Sequence, residues 1–326
     1  MERQDAIIIG AGPCGLSAAI ALQDIGMEPL IIEKGSIVNA LYHYPTHQQF
    51  FSTGEKLAIG GMPFYSTERK PKRNEALVYY RQVVMEKQLR IRSYEKAVEV
   101  LEEEDGTITL FTVDQHGMQN KYSTTYLIVA TGYYDSPNMM GIAGENQPHV
   151  FHYFKEAHPF FAQDVAVIGG KNSAVDAALE LEKAGANVSV YYRGSDYSPS
   201  VKPWILPEFE SLIKHGKINM FFDTKVAEIR QDTILVEQNG RTREEKARFV
   251  FAMTGYHPDH SFIKKMGVGV DEETGRPLHN PDTMETNIRN IFIAGVIAAG
   301  NNANEIFIEN GRLHGALIAE TIQSRR

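Results

Sequence analysis

The sequence predicts an α/β protein of two domains, each built round a parallel sheet with helical crossovers, and three observations carry that reading. The chain has 326 residues, more than one ordinary core fills and about right for two domains of common size. Two segments far apart in the chain repeat one design of strand, glycine turn, helix and strand. Two further apolar strands end in similar words, Ala130-Thr131-Gly132 and Met253-Thr254-Gly255.

The first copy opens with the β-branched run Asp5 to Ile9. Gly10-Ala11-Gly12-Pro13-Cys14-Gly15 follows, then a helical pattern from Leu16 to Gly26 and a strand from Pro29 to Glu33. The second copy opens with the strand Val165 to Ile168 and continues through Gly169-Gly170-Lys171-Asn172-Ser173-Ala174. The helix Val175 to Ala184 and the strand Asn187 to Tyr192 complete it. Strand, turn, helix and strand in that order make a βαβ unit with parallel strands. The glycine turn makes each unit Rossmann-like, a three-layer ββα dinucleotide-binding domain. Between the copies, Ala97 to Leu101 and Thr107 to Val113 alternate like the strands of a hairpin around Glu102 to Gly106. The C-terminus reads as a strand from Asn290 to Ala294-Gly295 and a helix from about Asn304 to the end.

Composition narrows the function. Hydrophobic residues make up 43% and charged residues 23%, the balance of a globular enzyme. A net charge of −8 argues against nucleic acid, because tracking phosphates needs a surplus of Lys and Arg. The basic run Arg69-Lys70-Pro71-Lys72-Arg73 reads as a solvated loop. No stretch approaches the roughly 18 apolar residues of a membrane span. The polar start runs straight into a strand, so no signal peptide is expected. The lone Cys14 suits a reducing compartment, and the expected location is cytoplasmic.

The glycine turns carry the chemistry. In the first, Gly10 permits the tight turn, Gly12 lets the backbone approach a pyrophosphate, and Gly15 allows close helix–strand packing. The pyrophosphate then sits on Pro13-Cys14 at the helix N-terminus, where unpaired N–H groups and the dipole favour negative charge. Glu33, with Lys34 after it, ends the second strand at the distance needed to accept hydrogen bonds from a ribose diol. In the second turn, Lys171 stands where the middle glycine belongs, while Gly169 and Ala174 hold the other two positions. Tyr192 stands as far after Gly169 as Glu33 does after Gly10, so the acid that reads a 2′-hydroxyl is absent. Arg193 follows it, and an arginine pairs with a 2′-phosphate, which favours NADPH over NADH. Two dinucleotide sites in one chain suggest a relay from nicotinamide to flavin.

Taken together, the motifs resemble the low-molecular-weight thioredoxin-reductase-like flavoproteins over nearly the whole chain. The resemblance implies an FAD domain at 1–138 and 257–326, with an NAD(P)H domain inserted at 139–256. It implies that Thr131, Gly132, Gly295, Val296, Glu305 and Ile306 join the first turn in holding FAD. Gly169, Gly170, Asn172, Ser173, Ala174, Tyr192 and Arg193 would hold NADPH. The departures are informative. The redox Cys-x-x-Cys is missing, and His149-Val150-Phe151-His152 stands in its stretch. The family's Gly-Asp is Gly295-Val296, and its paired arginines are Arg193-Gly194.

These departures resemble the bacillithiol-disulfide (bacilliredoxin) reductases, which share a lone cysteine in the first glycine loop. They also share a C-terminal signature like Ala294-Gly295-Val296-Ile297-Ala298-Ala299-Gly300-Asn301-Asn302-Ala303-Asn304-Glu305. The resemblance implies NADPH-driven reduction of a small thiol disulfide, directly or through a bacilliredoxin, by a homodimer. It makes Cys14 the candidate catalytic thiol, activated by the helix dipole; the alternative is a small packing residue. Four histidines (His43, His47, His152 and His158) are available proton donors. The Asn301-Asn302-Asn304-Glu305 cluster reads as a flavin or substrate contact, and no Cys/His spacing suggests a metal. The aromatic stretch Tyr42 to Phe51, with Phe64-Tyr65, could line a pocket or fill a core. Three other functions fit the two fingerprints: a ferredoxin- or flavodoxin-NADP reductase, a flavin monooxygenase, and a non-enzymatic redox sensor.

Overall fold

Strand β1 (Glu2–Ile9) buries Ala6, Ile7, Ile8 and Ile9 in succession, as a strand covered on both faces must. It runs through the first of two units into which the computed structural model divides. The structure describes residues 2–302 and 304–326, so Ala303 of the terminal signature lies outside the described residues. The first unit comprises Met1–His43, His47–Ser136 and His257–Arg326, and the second Tyr44–Thr46 and Pro137–Tyr256.

In the first unit β1 leads into α1 (Pro13–Asp24), β2 (Leu30–Glu33), the short α2 (Asn39–Tyr42) and α3 (Gly54–Leu57), and α4 (Arg73–Glu86). Strands β3 (Arg90–Ser93), β4 (Glu95–Glu102), β5 (Ile108–Asp114) and β6 (Gln119–Val129) follow. The sheet runs β3-β2-β1-β6-β5-β4. β1, β2 and β3 are parallel to one another and to β6, while β4, β5 and the first half of β6 form an antiparallel meander. Phe64 stacks on Tyr79 at 4.2 Å and Phe50 is buried, whereas Tyr65 is 86% exposed. The aromatic stretch thus divides between core and surface. Arg73 corrects the reading of its run as a solvated loop. It is buried, with Nε donating to Leu41 O (3.2 Å) and the guanidinium bonded to Tyr42 O.

The second unit holds β7 (Val150–Phe151), β8 (Asp164–Ile168), α5 (Asn172–Lys183), β9 (Asn187–Tyr191), α6 (Leu206–Lys214) and β10 (Ile218–Phe221). A three-stranded antiparallel sheet, β11 (Thr224–Ile229), β12 (Thr233–Gln238) and β13 (Arg241–Lys246), precedes β14 (Phe249–Ala252). The other five strands form a parallel sheet in the order β10-β9-β8-β14-β7. Helix α5 buries Ala174, Val175, Ala177, Ala178 and Leu181, the spacing of one helical face. Phe251 centres an aromatic cluster, with its ring centroid 5.0–5.3 Å from those of Phe151, Phe154 and Phe160.

The chain returns to the first unit through α7 (His260–Lys265) and β15 (Ile291–Ile293), which adds to β6 in parallel. The terminal helix expected from about Asn304 is instead two, α8 (Ile308–Gly311) and α9 (His314–Gln323). Asn310 ends the run of loop before α8 by accepting from Phe307 N–H and donating to Glu305 O (2.7 and 2.9 Å). Helix α9 lies so close to α1 that a Cβ on Gly315 would fall 2.6 Å from Ala18 Cα.

Truncating Phe251 to Ala should cost roughly 3–5 kcal/mol, as for other fully buried aromatics. A lowered urea midpoint checks this, and a loss below about 1 kcal/mol would mean that the cluster is loosely packed.

Candidate functional site

β1 ends in a turn that leaves no room for a side chain at two positions. Gly10 has φ +110°, and a Cβ there would lie 2.4 Å from the Ala130 carbonyl oxygen. A Cβ on Gly15 would lie 2.0 Å from Gly10 O. Helix α1 can therefore approach the strand end only if both residues are glycine. Gly12 differs, because a Cβ there meets nothing within 4 Å and the turn is open at that point. Gly12 is the N-cap of α1, no side chain caps it, and Pro13 in the first turn has no N–H to leave unsatisfied. Leu16 N–H takes Gly12 O (2.9 Å), so the amides of Cys14 and Gly15 precede that bond and favour an anion.

Three hydrogen bonds hold the turn in register: Gly10 N–H to Ile32 O (2.8 Å), Ala11 N–H to Glu33 Oε2 (2.8 Å) and Val38 N–H to Ala11 O (3.0 Å). Val38 is buried at φ 49°, ψ 43°, left-handed geometry that a β-branched residue takes only under constraint. Glu33 Oε1 accepts from Gly35 N–H (2.7 Å). The carboxylate expected to read a ribose is thus also the clasp of the turn, and each oxygen retains a second acceptor direction. Burial pushes its pKa up, against the two amide bonds that lower it. Lys34 pairs with Asp135 (2.8 Å), a few residues past Thr131-Gly132 at the end of β6. An open Gly12, an uncapped helix end and a buried acceptor fit the pyrophosphate and ribose of FAD.

A Cβ on Gly295 would lie 3.0 Å from Cys14 Sγ, and one on Gly311 2.9 Å from it, so the thiol is wedged between two backbones. The dipole was expected to lower its pKa. Burial instead pushes it up to about 12, and the Glu309 carboxylate adds to the rise. Dipole effects amount to about 1 kcal/mol or less at most helix ends, so desolvation outweighs them even at this partly buried residue. Glu309 is itself hydrogen-bonded to Ser52.

Gly295 N–H donates to His314 Nδ1 (3.2 Å), so that nitrogen carries no proton; burial, then the nearby His279, push its pKa down to about 4. Val296 opens a short 3-10 turn and brings no polar group. His314 lies 19 residues beyond Gly295, and nothing in the sequence marks it for this contact. Glu305 is ion-paired with Arg276 and bonded to Asn302 Nδ2, while Ile306 packs near Gly311. The polar cluster thus bonds chiefly to itself and to Arg276.

The second turn repeats the first more loosely. Gly169 has φ +140°, and a Cβ there would lie 2.5 Å from Met253 O and 3.2 Å from Ala174 Cβ. Lys171 is the N-cap of α5 in extended geometry (φ −104°, ψ −174°), which any residue adopts. Asn172 donates to Ser200 O (2.8 Å) and accepts from Lys202 N–H (3.0 Å). Its amide thus ties down the 198–202 loop. Ser173 is exposed on the first turn, Arg193 is exposed beyond β9, and Tyr192 is half-buried between them in sequence. Asp176, another residue the sequence reading missed, has its pKa pushed up to about 6 by burial and then by Glu180. Its signal was an acid amid the small apolar run Ala174-Val175-Ala177-Ala178.

Among the histidines, His43, His47 and His158 are exposed. His152 Nε2 lies 3.8 Å from Glu145 Oε1, and neither ring nitrogen has a hydrogen-bond partner among the described residues. No group of three metal-ligating side chains occurs among the described residues, and none of their helices is long and apolar enough to cross a membrane.

The two turns fit the class of oxidoreductases that use two dinucleotides. The chain belongs to the pyridine nucleotide-disulphide oxidoreductase family, whose model matches residues 7–295. More particularly, it is 56% identical over 326 residues to the bacilliredoxin reductase Bdr of Bacillus subtilis (strain 168), covering 100% of this chain and 99% of that protein. Its structure resembles that of the bacillithiol disulfide reductase Bdr (YpdA) from Bacillus cereus, with a TM-score of 0.98 and 58% identity over 100% of both chains. The Staphylococcus aureus protein of the same name matches with a TM-score of 0.95 and 52% identity, again over 100% of both.

A thiol held near 12 is protonated throughout the neutral range. Alkylation of Cys14 by iodoacetamide should therefore climb about tenfold per pH unit from pH 8 to 10 without levelling. A plateau near pH 9 would mean that the thiol titrates as an ordinary exposed one.

Proposed function

We propose that this chain is an NADPH-dependent FAD flavoprotein that reduces a low-molecular-weight thiol disulfide, bacillithiol disulfide, directly or through a bacilliredoxin. The observation that carries the reading is a glycine turn in each unit of a chain that is like a bacilliredoxin reductase from end to end. When bound, the nicotinamide supplies a hydride and the flavin relays two electrons to a disulfide.

The chain's own residues bind and orient. The amides at the start of α1 take the FAD pyrophosphate and Glu33 takes the ribose, while Gly10 and Gly15 let the helix end come close enough. The start of α5 and Arg193 take the NADPH, with Arg193 facing the 2′-phosphate. In this reading Cys14 is the redox thiol. Its attack on a disulfide forms a mixed disulfide and expels one thiolate. The Cys14 proton must leave first, against the burial and the Glu309 charge that hold it on the thiol. The bacilliredoxin partner and a homodimeric assembly belong to the same proposal and rest on the resemblance.

The test is anaerobic NADPH oxidation by the purified yellow protein with bacillithiol disulfide, alone and with bacilliredoxin. Disulfide-dependent turnover is expected, and Cys14→Ala should keep FAD while losing that turnover. Flavin reduction without disulfide turnover would defeat the substrate assignment. Full turnover in Cys14→Ala would remove the thiol from the mechanism.

A further inference from the structure

The second glycine turn involves two glycines that the backbone does not require. Neither Gly170 nor Gly194 is among the glycines of positive φ, so backbone geometry at either admits any residue. What excludes a side chain is the ring of Tyr192. A Cβ on Gly170 would fall 2.4 Å from Tyr192 Cγ and 2.5 Å from Cδ1 and Cδ2. A Cβ on Gly194 would fall 2.5 Å from Cε1 and 2.8 Å from Cζ of the same ring.

The backbone that carries the ring is held in place. Tyr192 N–H donates to Phe221 O (2.9 Å) and Tyr192 O accepts from Thr224 N–H (3.0 Å), which fixes its backbone on both sides. Gly194 O accepts from Asp223 N–H (3.0 Å), so the residue after Arg193 is held as well. Arg193 is thus anchored at both neighbours and projects from a fixed stretch of chain.

We infer that Tyr192 is a specificity-determining residue for the nicotinamide dinucleotide. Its ring occupies the space that a second arginine at 194 would need, which leaves Arg193 as the single arginine of a grip expected to have two. This rests on the NADPH reading above. It explains why glycine follows Arg193, and it reverses the usual expectation for adding a cation. An arginine introduced at 194 must displace the ring, so it loosens the site before its charge can help.

The experiment measures dissociation constants of NADP⁺, 2′,5′-ADP and NAD⁺ on the FAD-loaded protein. The proteins compared are the wild type, Gly194→Arg, Tyr192→Ser and the double variant. Wild type should prefer NADP⁺ to NAD⁺. Gly194→Arg should bind NADP⁺ and 2′,5′-ADP about tenfold more weakly, the scale of one charge-assisted contact. The double variant, with the ring gone, should bind both at least as tightly as wild type. If Gly194→Arg fails to retain FAD, Gly194→Ala replaces it, because the ring opposes any Cβ there, and the same direction is expected. Tighter or unchanged NADP⁺ binding in the single 194 variant would overturn the role of Tyr192 and leave the NADPH reading standing. A wild type indifferent to the 2′-phosphate would overturn both.

Discussion

The contact between the end of β1 and the start of α1 admits no side chain, and the first site is built on that constraint. Gly15 touches Gly10, and Gly10 touches the Ala130 carbonyl at the end of β6. One steric relation therefore ties together a strand end, a helix start and the neighbouring strand end. Those are also the elements that bring unpaired amides to one point. The constraint would be worth little if the turn could change register. The Glu33 carboxylate and the Val38 amide prevent that by taking the N–H and the carbonyl of Ala11. A buried valine in left-handed geometry is a local cost that the surrounding bonds offset.

The second unit shows what happens when the same constraint is relaxed. Ala174 replaces the third glycine, and its Cβ stands 3.2 Å from where a Cβ of Gly169 would be, so that helix start has one methyl more than the first. An extended Lys171 takes the middle position. Space round the turn is then taken up by the Tyr192 ring and by the loop that Asn172 holds. The first turn is shaped by backbone against backbone and the second by backbone against side chains. Side-chain identity consequently matters more in the second.

Most of the fold was legible because its signals are local. Short runs rich in Val, Ile and Leu mark β1, β2 and β8, valines mark β9, and the βαβ order implied parallel pairing. The terminal helix breaks in two because Asn310 bonds locally to Phe307 and Glu305 and because Gly311 packs against Cys14, a contact across the fold that sequence spacing does not show. The same limit applied at the sites. Residue type and spacing point to an anion at a helix end, but they do not reveal that Glu33 also clasps the turn. Nor do they reveal that His314 accepts from Gly295 N–H. Cys14 is the clearest case. Its position in a helix start suggests a thiolate, whereas its surroundings, residues 295, 309 and 311, are brought in from the far end of the chain and reverse the sign.

The central claim is that the close approach at Gly15 makes the FAD site, and the FAD content and affinity of Gly15→Ala test it most directly. A Cβ at 2.0 Å from the Gly10 carbonyl must push α1 away from β1. The variant should therefore purify largely without FAD and rebind it at least about tenfold more weakly than the wild-type apoprotein. Stoichiometric FAD held with wild-type affinity would contradict the account, because the helix end would then bind without the contact on which the site is argued to depend.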